Sequence, residues 1–160
     1  MTRTPPPRKI SFPGHEGHRL AGVLQPANER KQGSVVLSHC FTCSKDYKIL
    51  AWMARVLARR GFSVLRFDFA GLGQSQGDFR FTSLSTDIED LLGACAWLEK
   101  EQEPVVALAG LSMGGVTSIL AARSLPAVRS VAVLGTSGHV GRRISALLKP
   151  GDREVLDDIG

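Results

Sequence analysis

The 160 residues, 43% hydrophobic and 22% charged with only three cysteines, fit one globular domain and exclude both a disordered chain and a disulfide-dense miniprotein. No apolar run approaches a membrane span, and the basic, proline-rich stretch Met1 to Lys9 leads into no apolar segment, so neither membrane insertion nor a secretory signal is expected and the location implied is cytoplasmic. The net charge of +5 and isoelectric point near 9.5 do not imply nucleic acid, because Arg55, Arg59, Arg60, Arg66, Arg80, Arg123 and Arg129 are scattered and no aromatic residues interleave with them.

Residues 1–8 read as a disordered arm. Lys9 to Phe12 and Arg19 to Leu24 then read as two antiparallel strands joined at a turn around Gly14 and Gly17. Ser34 to Ser38 is a third, apolar strand. Tyr47 to Arg60 carries Ile49, Leu50, Met53, Ala54 and Leu57 at helical spacing, with Gly61 as the stop. Ser63 to Phe67 is the fourth strand, and a glycine-rich loop, Gly71 to Gly77, follows it. Thr86 and Glu89 suggest a capping box for a helix that buries Ile88, Leu91, Leu92, Cys95 and Leu98. Val105 to Ala109 is the fifth strand; Gly114 to Ser124 is a helix with Val116, Ile119 and Leu120 inward; Ser130 to Leu134 is a sixth, buried strand. Arg142 to Leu148 has the pattern of a short helix, and residues 141–160 read as the start of a cap or a polar tail.

Strands alternating with helices predict an α/β fold with a mostly parallel sheet covered on both faces. Chemistry in such sheets gathers at the carboxyl ends of the strands. Three marked segments fall there: His39 to Asp46, Asp68 to Asp78 and Gly110 to Gly115.

Gly110-Leu111-Ser112-Met113-Gly114 has the G-x-S-x-G spacing of a nucleophile elbow, placed between an apolar strand and a helix. A serine on that tight turn is exposed as a nucleophile, and the following helix points its positive end at a developing oxyanion. A serine that merely caps a helix or holds a phosphate is the competing reading. Cys40 and Cys43 form a C-x-x-C, open to a thiol redox reading, and His15 and His18 with those cysteines are a weaker case for zinc. Gly71, Gly73 and Gly77 nearly make a dinucleotide fingerprint, but the last gap is one residue too long. Cys95 belongs to a helix's apolar face.

Together, HCFTCSKD, RFDFAGLGQSQGDF and GLSMGG resemble the hydrolase half of bacterial fusions of an α/β-hydrolase with an osmotically inducible protein C-like domain, over about residues 15 to 140. That resemblance implies an α/β-hydrolase fold with a core over residues 9–140, truncated after the sixth strand. It also implies a serine-esterase type of activity but not the substrate; the expectation is a small acyl ester, with no cofactor and no metal. Ser112 would be the nucleophile. The backbone N–H groups of Phe41 and Met113 would form the oxyanion hole, the cysteines would stay reduced at the start of a helix, and Asp68 would hold its loop by hydrogen bonds.

In this fold the acid and then the histidine follow the serine in chain order. No histidine follows Asp152, Glu154, Asp157 and Asp158, so that order is not met within these residues. His15 and His18 read as surface groups and His39 as a structural hydrogen bonder, which leaves His139 as the one candidate base. Three functions stay open: a serine hydrolase with an incomplete triad, a non-catalytic ligand-binding or structural remnant, and a thiol redox protein using Cys40 and Cys43. A homodimer, or association with a C-terminal half, is expected because the sixth strand would otherwise present a bare apolar edge.

Overall fold

The structure, a computed structural model, describes residues 4–136. Its centre is the run Gly33–Ser38 (β3), whose six residues are all buried. Val36 faces one core with Leu65, Phe67 and Leu108, while Val35 and Leu37 face the other with Val64, Ala109 and Leu111. This two-residue alternation is what a strand covered on both faces requires.

Around β3 the order is β1-β2-β4-β3-β5-β6. Arg8–Pro13 (β1) and Arg19–Gln25 (β2) form an antiparallel hairpin whose second strand runs antiparallel to Phe62–Phe67 (β4). β3 is parallel to β4 and to Val105–Leu111 (β5), which is parallel to Ser130–Leu134 (β6). β1 takes in Arg8, and the Pro5 carbonyl accepts a hydrogen bond from Gln25 Nε2. Residues 137–160, with the expected helix and tail, lie outside the described residues.

One face is covered by Lys48–Arg59 (α1), through Leu50 and Ala54. The other is covered by Leu84–Glu101 (α2) and Met113–Ala122 (α3), through Leu91, Leu98 and Ala121. α2 begins at a capping box made by Ser83 and Thr86, not by Thr86 and Glu89. The box needs only a hydroxyl at each end, and Thr86 Oγ1 accepts from the Ser83 N–H at 2.8 Å. On α3, Val116 and Leu120 are buried but Ile119 is 40% exposed. The inward positions beside them belong to Thr117 and Ser118, whose hydroxyls donate to the Met113 and Gly114 carbonyls. β6 forms as expected but is not buried: all five residues are exposed, with Val133 at 43%, because no described element packs beyond it.

Candidate active site

Three loops leave the carboxyl ends of β3, β4 and β5, and they meet. β5 runs into α3 with one residue between, so the chain must reverse at Ser112. Ser112 sits at φ 50°, ψ −115°, a conformation that costs a side-chain-bearing residue energy and that clusters at functional sites. Its N–H donates to the Leu134 carbonyl at 2.9 Å and its carbonyl accepts from Gly115 N–H and Thr136 Oγ1. The side chain is exposed. A Cβ on Gly110 would lie 2.1 Å from the Gly114 carbonyl oxygen, and one on Gly114 would lie 2.5 Å from that of His39. The first contact lets the turn close. The second seats the start of α3 against the loop that begins at His39. Met113 is the first residue of α3, and the first N–H groups of a helix have no partner within it.

The β3 loop carries Phe41, 47% exposed, with its ring edge-on to Phe79 at 5.3 Å. Cys40 and Cys43 are joined by a disulfide, which corrects the expectation of reduced thiols at a helix start. The two cysteines close a turn in which Cys43 N–H donates to the Cys40 carbonyl, and α1 begins only at Lys48. That bond also removes them as zinc ligands. Cys95 is buried, and burial and then the charge of Glu99 push its thiol up to about 12.

Two buried polar links tie the β3 loop to the β4 loop. His39 is fully buried; its Nδ1 meets the Cys40 carbonyl at 2.8 Å and its Nε2 accepts from the Phe69 N–H at 3.2 Å. Both nitrogens are thus committed in the neutral ring. Burial holds its pKa below the ordinary value, against the Cys40 hydrogen bond and the charge of Asp68, which favour the proton. The second link is Asp68, fully buried, which accepts from the Lys45 N–H at 2.6 Å, from Lys45 Nζ at 2.7 Å and from the Gln74 N–H at 2.9 Å. Asp68 thus holds its loop as expected, but its partner Lys45 was invisible to sequence reasoning. The glycine-rich loop folds back onto itself and β2: Gly71 N–H donates to the Gln76 carbonyl and Gln76 N–H to that of Arg19. Those two donors are spent within the protein rather than offered to a phosphate.

His15 is buried rather than on the surface. It and the Ala70 N–H share Asp90 of α2: His15 N–H and Nδ1 meet Oδ1 at 2.9 and 2.8 Å, and Ala70 N–H meets Oδ2 at 2.8 Å. A helix residue beside the apolar stripe, Asp90 gave no sequence signal. His15, Glu16 and His18 offer three ligand atoms within 4.8 Å of one another, the one such grouping among the described residues. A concavity of about 380 Å³ lined by Lys9, Arg19, Lys45 and Gln74 opens over β1 and β2, and neither Ser112, Phe41 nor Met113 lines it. His139 lies outside the described residues.

The sheet order, the covered faces and the strand-turn-helix at Ser112 define an α/β-hydrolase fold. The chain belongs to the serine aminopeptidase, S33 family, which matches residues 29–150. It is 32% identical over 126 residues to a polyketide transferase of Gibberella fujikuroi, covering 76% of this chain and 39% of that protein. It is 30% identical over 118 residues to the thiohydrolase aneE of Aspergillus aculeatus, covering 71% of this chain and 36% of that one. Among solved structures, the esterase domain of a Rhodothermus marinus protein is 35% identical, with a TM-score of 0.66 over 82% of this chain and 51% of that one. The chain therefore spans well under half the length of the two curated relatives. The family is one of α/β-hydrolases. No helix among the described residues is long and apolar enough to cross a membrane.

Proposed function

We propose that this chain carries the nucleophile and oxyanion site of a cytoplasmic serine hydrolase that takes a small acyl-ester substrate. The observation that carries the reading is the positive-φ Ser112 at the start of α3, exposed and closed in by Gly110 and Gly114. Ser112 Oγ attacks the acyl carbon. The N–H groups of Met113 and Phe41 stabilise the oxyanion; each such donor is worth about 10²–10³ in rate. The names transferase, thiohydrolase and esterase among the similar proteins fit an acyl group passing through a nucleophile, and the three quoted segments favour a resemblance to the hydrolase half of the osmotically inducible protein C fusions.

His39 is unsuited as base, since both ring nitrogens are occupied and the ring is buried. His139 is the base this reading assigns within the chain. Oxyanion donors and binding alone sustain about 10³–10⁴ over water when triad members are missing, so slow turnover of activated esters is expected. A fluorophosphonate probe should label wild type at Ser112, and Ser112→Ala should lose both the label and hydrolysis of p-nitrophenyl acetate. Equal hydrolysis by the variant would remove Ser112 from the reaction; ligand binding without labelling would make this a binding remnant.

A further inference from the structure

The turn that carries Phe41 is built differently from the rest of the site. His39, Lys45 and Asp68 are fixed by buried hydrogen bonds, whereas residues 40–43 are closed by a disulfide and one backbone hydrogen bond. Within that ring Thr42 stands at φ 60°, a region where a β-branched residue is an outlier and persists only if its surroundings hold it. The flanks are anchored. The Cys40 carbonyl meets His39 Nδ1, and Lys45 is held by Asp68 through both its N–H and its Nζ. Any rearrangement is thereby confined to residues 41–44. Phe41, one residue before Thr42, is the first to feel it, and its ring leans on Phe79.

We infer that Cys40 and Cys43 are a reversible redox site that sets the aim of the Phe41 N–H, so that the oxidised turn is the assembled oxyanion hole and the reduced turn is not. The inference rests on the proposed hydrolase reading for its catalytic consequence. The co-reactant is a low-molecular-weight thiol. Its thiolate attacks one sulfur; the Cys40–Cys43 bond breaks as a mixed disulfide forms and the other cysteine leaves as a thiolate. A second thiol resolves the mixed disulfide. The protein gains two electrons and two protons, and the two thiols become one disulfide. Reduced, the turn keeps only the Cys43 to Cys40 backbone bond, and Thr42 relaxes toward negative φ. Disulfides in cytosolic proteins are usually transient, catalytic or redox-sensing ones, and both cysteine residues are half-buried rather than buried, which leaves the bond within reach of a small thiol. Cys95, buried with its thiol pushed up to about 12, takes no part.

The test uses the 160-residue chain equilibrated with reduced or oxidised glutathione. Mass spectrometry counts free thiols, amide exchange follows Phe41 and Thr42, and the fluorophosphonate reports Ser112. Two thiols should appear and disappear reversibly. The Phe41 and Thr42 amides should exchange at least tenfold faster in the reduced state, and labelling should be at least tenfold slower. Cys43→Ser, which keeps the packing of Cys40, and the double variant Cys40→Ala/Cys43→Ala should each hold one labelling rate in both buffers. Cys40 and Cys43 thiols that stay free in oxidised glutathione, or exchange at residues 41–42 that is equal in both states, would overturn the inference whatever the probe does. Equal labelling in the two states would overturn its catalytic half while leaving Ser112 as the nucleophile. Absence of label in both states would instead refute the hydrolase reading, and the exchange measurement would still decide the turn.

Discussion

Asp68→Ala should be among the most damaging single substitutions outside the apolar core. The carboxylate is fully buried and accepts from three donors: Lys45 N–H, Lys45 Nζ and Gln74 N–H. Alanine leaves the Lys45 ammonium, whose side chain is only 3% exposed, with Gln74 Oε1 at 3.0 Å and the exposed Asp46 at 3.2 Å. Removing one partner of a buried ion pair costs about 3–5 kcal/mol. Two orphaned backbone donors would each add about 1–3 kcal/mol if independent, but all act through one carboxylate and do not sum. The remaining contacts of Lys45 argue for the lower half of the range, so a loss of about 3–4 kcal/mol is expected. Lys45→Met should cost less, because Asp68 keeps both backbone donors while losing the ammonium. Urea unfolding followed by far-UV circular dichroism gives both numbers. Since domains of this kind hold only about 5–15 kcal/mol, the Asp68 variant should show a large drop in midpoint at unchanged slope. A loss below about 1 kcal/mol, the range of exposed pairs, or a Lys45→Met variant worse than Asp68→Ala, would refute this account of the loop.

Gly114→Ala should destabilise by about 1–3 kcal/mol and slow probe labelling at Ser112, because its Cβ meets the His39 and Ser38 backbone oxygens rather than a side chain that can swing away; unchanged stability and labelling would mean α3 does not abut the β3 loop. The lowered pKa of His39 makes the unfolded chain bind the extra proton first, so its stabilising share is present above the unfolded value near 6.5 and is lost as pH falls from there through the folded value, with a slope of at most about 1.4 kcal/mol per pH unit; urea midpoints of wild type should fall below pH 6.5, and those of His39→Asn should fall less steeply. Among the described residues nothing pairs with the outer edge of β6, where Val131, Val133 and Leu134 are exposed, so we propose that the chain self-associates along this strand. Light scattering should then show a concentration-dependent mass for wild type that Val133→Lys reduces, and a monomeric wild type at high concentration would reject the pairing.

What was legible in the sequence was local. Largely apolar runs of five residues gave β3, β4 and β5 to within two residues, and the turn at Ser112 followed from glycines at fixed offsets between a strand and a helix. What was not legible depended on partners far along the chain. Asp90 and His15 stand 75 residues apart and Asp68 and Lys45 stand 23 apart, and no periodicity links such pairs. His15 therefore read as a surface group in a polar turn, although Asp90 lets it be buried. The disulfide failed for another reason. The C-x-x-C spacing permits a bond or two thiols equally, and the choice lies in how the turn at Thr42 folds. Ile119 failed because helical spacing alone does not fix which way α3 faces the sheet; Thr117 and Ser118, satisfied by bonds to their own helix, took inward places that polarity seemed to deny them.

The buried residues that tie together the loops after β3 and β4 are not those that would touch a substrate. His39 joins Cys40 to Phe69, Lys45 joins the β3 loop to Asp68, and Asp90 joins the turn at His15 to Ala70. Each is a buried polar group whose partners lie on a different segment, so each costs stability if its partner is lost and adds none of the apolar burial that forms the core. Preorganised donors are useful in catalysis because they need not move when charge develops. Loops without regular hydrogen bonds become rigid only when their backbone groups find such partners. The β3 loop obtains them on both flanks of the Cys40–Cys43 turn and has only a disulfide and one backbone hydrogen bond within it. It follows that substitutions at His39, Asp68 or Asp90 should damage stability and labelling together, whereas changes at the cysteines should separate the two, altering labelling at nearly constant urea midpoint.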